Sequence, residues 1–448
     1  MLTIAEFKAR RAQLLQQMLP NSVCLIPAAH AVTRSRDTEY AFRQDSYFQY
    51  LSGFPEPQAW LLLSNQGKGS SVLFCQDKDE HAEIWHGRRF GPREARRQFE
   101  FDKAFSLEEL DEYALELLNG HRHLYFAQGH SAEADEQVFA WLQALRDAPK
   151  QSMSPPTQLI DVRPVLDEMR LIKSAAEIAL MRRAASISAG AHVRAMQAAR
   201  VGLNEYHLEA ELHHEFAIHG ARHPAYGTIV GSGDNACILH YTENSQSLQD
   251  GTLVLIDAGC ELHGYAADIT RTFPVNGHFS QSQAQLYQLV LDAQAAALAQ
   301  LRPGATFKQV GDAAIAVLTQ GLIDLGLLSG SLATNLEHQH YRQCYMPGIG
   351  HWLGMDVHDV GHYKIDGHER PLQPGMVLTI EPGLYVASDA DVDEQWQGIG
   401  IRIEDNVLIT ASGYGNLTAD APKQIEHIEA LMQQARQHNP VTKAYAHL

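Results

Sequence analysis

The chain has 448 residues, 45% hydrophobic and 20% charged, a length that suits two cores and a balance ordinary for a globular protein. A formal net charge of −18 repels phosphate backbones and argues against nucleic acid as a partner, and no apolar run reaches the roughly 18 residues of a membrane span. Met1 to Lys8 lacks the basic-then-apolar order of a signal peptide, and the five cysteines (Cys24, Cys75, Cys237, Cys260, Cys344) are scattered and never arranged as CxxC, so they read as reduced residues of a cytoplasmic protein.

Taken in chain order, the first half carries strand-like runs at Ser22 to Pro27 and Ala59 to Leu63, and a helical stretch from Leu107 to Leu118. Pro155-Pro156-Thr157 interrupts the pattern. Ser174 and Glu177 then have the spacing of a capping box, which predicts a helix from Ala175 to Ala199 with Gly190 as its main propensity defect. The boundary falls near residues 160–173, giving domains 1–172 and 173–448.

The second half is strand-rich, with long helices between. Leu253 to Asp257 is an apolar run typical of a buried strand, and Ala266 to Phe273 reads as its partner after a turn near Gly264. Ser282 to Leu301 is helical and stops at Arg302-Pro303-Gly304. Met376 to Ile380 and Ile399 to Glu404 are two further strands. No repeat and no low-complexity segment is evident.

In the last of these, Ile399, Ile401 and Ile403 alternate with Gly400, Arg402 and Glu404. A strand has period two, so Arg402 and Glu404 share a face between apolar strands, which is costly unless the charges are paired or bind metal. Asp257 and Glu381 likewise end apolar runs, and Asp268 interrupts another. Any one of these acids is readily an ordinary strand-end residue. Four together are less so, because buried like charges repel without cations. His351, in Gly348-Ile349-Gly350-His351-Trp352-Leu353-Gly354, sits where glycines let backbone approach closely; His358 follows seven residues later in Asp356-Val357-His358-Asp359, and His240 follows an apolar run. Carboxylates with one imidazole favour hard divalent ions, Mn2+ first, with Co2+, Fe2+ or Zn2+ as alternatives. Five such ligands suit two cations sharing bridging carboxylates, roughly 3.5–4 Å apart, which make a water acidic and polarise a carbonyl.

The ordered set Asp257, Asp268, His351, Glu381, Glu404 resembles the metal ligands of the pita-bread metallopeptidases, which include methionine aminopeptidase, prolidase and aminopeptidase P. Asp257-Ala258-Gly259, Val357-His358-Asp359, Glu381-Pro382-Gly383 and Gly400-Ile401-Arg402-Ile403-Glu404-Asp405 look like the proline-specific branch. Arg43-Gln44-Asp45, Tyr50 to Phe54 and Trp85-His86-Gly87-Arg88-Arg89 are similar to the N-terminal domain of bacterial aminopeptidase P. The resemblance covers nearly the whole chain. It implies an α+β fold, with an N-terminal mixed α/β domain and a C-terminal curved antiparallel sheet backed by helices and holding two metals in its concave face.

The resemblance also implies roles. Asp257 chelates one cation, His351 and Glu381 the other, and Asp268 and Glu404 bridge them. Glu381 moves the proton of the attacking water. His240 and His358 hold the substrate carbonyl and the tetrahedral intermediate, Arg402 braces the ligands, and Tyr385 lies near the substrate. Trp85 reaches a neighbouring subunit's site in a homodimer or homotetramer. The substrates implied are peptides with proline second. One departure stands out: relatives often carry a histidine where this chain has Pro347, which touches peptide-length preference rather than metal chemistry. Prolidase activity on Xaa-Pro dipeptides is the alternative, with organophosphate esters as a side reaction of some relatives. Methionine aminopeptidase would not need so long a leading domain. A non-catalytic binding module or a metal-free creatine-type hydrolase would lack the five ligands. His362 and His368 read as surface residues.

Overall fold

In the computed structural model, which describes residues 2–344 and 348–438, the chain divides into two compact units, Met1–Met169 and Arg170–Leu448. The first is built on a mixed six-stranded sheet. In spatial order its strands are Lys103–Ser106, Ser70–Cys75, Trp60–Ser64, Ser22–Pro27, His123–Tyr125 and Gln158–Ile160. Trp60–Ser64 pairs antiparallel with both Ser22–Pro27 and Ser70–Cys75, and the remaining neighbours pair parallel. Val23, Leu25, Leu62, Val72 and Phe74 project from one face into a core shared with the helices Leu110–Leu118 and Ala132–Arg146. Leu107–Glu109, expected as part of the first of these helices, forms a tighter 3-10 turn capped by Ser106.

In the second unit every strand pair among the described residues is antiparallel. Ile229–Ser232, Leu253–Asp257 and Thr270–Pro274 form one sheet. Val377–Ile380, Asp405–Ile409 and Tyr414–Asn416 form another, and Gly383–Val386 pairs with Ile399–Arg402. Side-chain and backbone bonds join these pieces: Glu404 N donates to Thr270 O at 3.1 Å, and Thr272 Oγ1 donates to Arg402 O at 3.0 Å. The helix Ala175–Ala198 begins at the Ser174–Glu177 capping box, with both reciprocal bonds present. The helices Gln281–Leu298 and Phe307–Asp324 each start with a capping box as well.

One element departs from the sequence reading. Ala266 to Phe273 is not a single strand. Tyr265–Ala266 folds back on Cys260–Leu262 across Gly264, whereas Thr270–Pro274 pairs with Leu253–Asp257. Asp268 lies in the break between them, because its backbone N–H goes to Asn406 Oδ1 at 3.0 Å and its carbonyl accepts from the same side chain. Ile399 to Glu404 is also shorter than expected. The strand ends at Arg402, and Ile403 N turns to Pro382 O. A wholly buried pair, Arg271 and Asp405 at 2.7 Å, reinforced by Lys423, fixes the chain just after Glu404. Burial opposes charge on Asp405, but the two cations outweigh it and hold the carboxyl well below its ordinary range.

Candidate metal centre

The second unit contains a cavity of about 440 Å³ where strand ends from these sheets converge. Its wall includes Asp257, Asp268, His351, Glu381 and Glu404, together with His240, His358, Tyr385 and Arg402. All the residues singled out in the second half therefore meet there. Trp85 does not. It lies in the first unit on the helix Glu80–His86 and is 73% exposed. Pro347 lies outside the described residues.

Asp257 ends its strand where Arg402 reaches it, with Nη2 to Oδ2 at 2.6 Å. Arg402 also donates through Nη1 to Tyr385 Oη at 2.9 Å and through Nε to Thr270 Oγ1 at 3.0 Å. Thr270 in turn donates to Glu404 Oε2 at 2.7 Å. A single guanidinium thus orients two carboxylates, one directly and one through a hydroxyl. Tyr226 bridges Asp257 and Asp268, donating to Asp257 Oδ1 at 2.6 Å and bonding Asp268 Oδ1 as well. Thr379 gathers the opposite side, accepting from His351 N at 3.0 Å and donating to Glu381 Oε1 at 3.0 Å.

His351 is seated closely because a β-carbon on Gly350 would run into the Thr379 carbonyl. Its Nδ1 lies 2.9 Å from the Trp352 carbonyl, which only accepts, so Nδ1 carries hydrogen and Nε2 is the atom turned to the cavity. That Nε2 stands 3.3 Å from Asp268 Oδ2 and 3.5 Å from Glu381 Oε1. The His358 ring meets the His351 ring edge to face at 4.4 Å between centroids.

The electrostatics are those of a crowded anionic pocket. Burial, then the Asp257 charge, pushes Asp268 up to about 7. Burial and the neighbouring acids raise Glu404 well above its ordinary value, and burial raises Glu381. Asp257 alone is held low, since Arg402 and Tyr226 together outweigh its burial. Burial works against charge on His351, but contact with Asp268 overcomes it and lifts the imidazole to about 9. His358 is pushed down by burial and by the neighbouring imidazoles. Asp268, Glu381, Glu404 and His351 are thus shifted toward their protonated forms, because the pocket has more anionic oxygen than positive charge to match it.

Two features fit cations. Among the described residues, Glu404 Oε1 is buried without a hydrogen-bond partner, which is costly for a carboxylate oxygen. Asp268, His351 and Glu404 each offer a ligand atom within 4.8 Å of the others. Oxygen donors with one imidazole suit hard to borderline divalent metals.

Four contributors escaped the sequence reading. Tyr226 gave no periodic signal, and Asn406 follows the ligand run with nothing to mark it. Thr379 carried a weak signal as the lone hydroxyl of an apolar strand, whereas Thr270, beside Arg271 and Thr272, carried none; both turn out wholly buried.

Comparison with known proteins accounts for both units. Residues 179–411 match the model of metallopeptidase family M24, and residues 7–125 match the aminopeptidase P N-terminal domain. The chain is 52% identical to the Xaa-Pro aminopeptidase of Escherichia coli K12 over 433 residues, covering 96% of this chain and 98% of that one. It is 35% identical to human Xaa-Pro aminopeptidase 3, covering 90% and 79%. Among solved structures, E. coli aminopeptidase P in complex with substrate superposes with a TM-score of 0.96 at 50% identity, covering 98% of this chain and 100% of that one. Pseudomonas aeruginosa aminopeptidase PepP does so with 0.97 at 46%, covering 98% and 99%. The fold is thus the pita-bread arrangement preceded by an aminopeptidase P-type domain, and the chain is an enzyme belonging to metallopeptidase family M24, in its aminopeptidase P branch.

Proposed function

We propose that the protein hydrolyses the bond between the first residue of a peptide and a following proline, using two divalent cations held in this cavity. The observation that carries the reading is the convergence of four acids and one imidazole on a single buried wall, with Glu404 Oε1 left unpartnered. The names of the relatives, Xaa-Pro aminopeptidases in the bacterial and human cases, supply the substrate class.

In this reading Asp257 holds one cation, His351 and Glu381 hold the other, and Asp268 and Glu404 are shared. When bound, the pair would supply Lewis acidity and make a water acidic enough to yield hydroxide near neutral pH. Glu381 then takes the proton of the attacking water on its carboxylate and passes it to the proline nitrogen as the bond breaks. His240 and His358 line the cavity and donate to the carbonyl oxygen as it gains charge. Arg402 and Tyr385 hold the wall behind the ligands. An Xaa-Pro bond is a tertiary amide without an N–H, so a site that grips its carbonyl loses nothing by the missing donor. Mn2+ is the favoured ion by ligand type, although one solved E. coli relative is described as zinc-substituted. The working form is a homodimer or homotetramer, for which the exposed Trp85 supplies a contact.

The test uses protein stripped of metal and then given Mn2+, offered an Xaa-Pro-Yaa tripeptide beside an Xaa-Pro dipeptide. Metal-dependent release of the first residue from the tripeptide is expected. Cleavage of the dipeptide alone makes the protein a prolidase. Turnover of neither, with any divalent ion, overturns the proposal.

A further inference from the structure

His240, exposed like His358 and unlike the half-buried His351, sits on an excursion of chain, residues 233–246, between the strand Ile229–Ser232 and the segment leading to Leu253–Asp257. Only Gly233–Cys237, a 3-10 turn, has regular structure there. Something must hold such a segment if one imidazole on it is to meet a substrate atom repeatedly.

The structure supplies a fully buried carboxylate, Glu205, at the start of the helix Glu205–Ile218. Among the described residues its side chain accepts five hydrogen bonds, three from Ser232 and Asn235 before His240 and two from Tyr241 and Gln246 after it. Oε1 accepts from Ser232 N at 2.7 Å, Ser232 Oγ at 2.9 Å and Asn235 Nδ2 at 3.2 Å. Oε2 accepts from Tyr241 Oη at 2.8 Å and Gln246 N at 2.9 Å. Its backbone N–H also donates to Gln246 O at 2.9 Å. One carboxyl group therefore pins the chain on both sides of His240. Asn244, with φ +49°, adds a second pin, accepting from Val230 N at 2.9 Å and donating to Thr228 O at 2.9 Å. Among the described residues none of these side chains is hydrogen-bonded to a proposed metal ligand, and no cation pairs with Glu205.

We infer that Glu205 is a positioning residue that acts through His240, setting where that imidazole meets the substrate carbonyl; this rests on the reading of His240 given above. Glutamine cannot replace the carboxylate. Each oxygen faces a backbone N–H, Ser232 N on one side and Gln246 N on the other, so either amide orientation turns an NH2 group against a donor that has no acceptor to offer. The cost is that of a buried unsatisfied group, and the loop gives way before the helix does.

The experiment compares Mn2+-loaded wild type, Glu205→Gln and the milder Tyr241→Phe, each alone and combined with His240→Ala. Metal content and circular dichroism are checked on all of them. Glu205→Gln is expected to lower kcat/KM for an Xaa-Pro-Yaa peptide at least tenfold and Tyr241→Phe severalfold, with metal content unchanged. In the His240→Ala background either change should cost less than threefold, because the group being positioned is gone. Amide exchange over 233–246 should accelerate in both single variants while the helices stay protected, a readout that does not depend on which bond is cleaved. Equal losses with and without His240, or unchanged exchange in 233–246, would overturn the inference. If wild type cleaves no Xaa-Pro peptide, the proposed function fails and the catalytic role of Glu205 falls with it, while the exchange result still reports whether the clamp exists.

Discussion

Thr270→Val tests whether the hydrogen bonds behind the ligands matter to metal binding. Thr270 is wholly buried, accepts from Arg402 Nε at 3.0 Å and donates to Glu404 Oε2 at 2.7 Å. Valine keeps the shape and the β-branching but removes the hydroxyl. Two hydrogen bonds to charged groups are lost, each worth about 1.5–3 kcal/mol. Arg402 keeps its bonds to Asp257 and Tyr385, so it stays in place and part of that energy is retained. Glu404 loses its one side-chain donor and turns more freely. Partners that orient metal ligands in this way ordinarily contribute 10- to 100-fold in affinity, or about 1.4–2.7 kcal/mol. Calorimetric titration of stripped protein with Mn2+, at fixed pH and ionic strength, should show that weakening while circular dichroism is unchanged. An affinity within twofold of wild type would mean that Thr270 only fills its strand, and the argument from oriented carboxylates would fail.

Asp268→Asn and Glu404→Gln, which each remove one anionic oxygen from the shared positions, are expected to abolish turnover and leave the fold intact; near-normal rates with normal metal content in either would refute the two-cation assignment. Gly350→Ala should cost both stability and metal affinity, because the added β-carbon meets the Thr379 carbonyl and displaces His351; thermal unfolding and a metal titration read the two effects, and wild-type values in both would show that the strand relaxes freely. The pH dependence follows from Asp268 at about 7 and His351 at about 9, both raised above ordinary values of 3.8 and 6.5. Each stabilises the metal-free fold fully below its ordinary value and loses that contribution as pH rises through the raised one. The metal-free protein should therefore weaken from about pH 4 to 9, through Asp268 between 3.8 and about 7 and through His351 between 6.5 and about 9, while cations replace the protons in the loaded form. The Tm gap between Mn2+-loaded and stripped protein is expected to widen over that range, and a constant gap would contradict the assignment.

Much of the site was legible in the residues. Acids that end or interrupt apolar runs, at Asp257, Asp268 and Glu381, are anomalies of local pattern, and the alternation around Arg402 and Glu404 placed two charges on one face. All of them line the cavity. The glycines flanking His351 marked a close approach, and Gly350 makes one with Thr379. The strand expected from Ala266 to Phe273 was misread because no glycine or proline within it marks a break, while the break at Asp268 is imposed by Asn406, 138 residues away.

What the sequence determined by itself is what depends on near neighbours: strand and helix periods, caps, turns, and the ordered set of ligands that carries the family resemblance. Tertiary structure alone decided which hydroxyls and amides serve those ligands. Tyr226, Thr270 and Asn406 carry no local mark of a site, Thr379 carries only the weak one of a lone hydroxyl in an apolar strand, and Glu205 reads as an ordinary acid in a first helical turn. Each acquires its role from partners brought close by folding, and a hydrogen bond depends on that final distance and direction, which spacing along the chain does not encode.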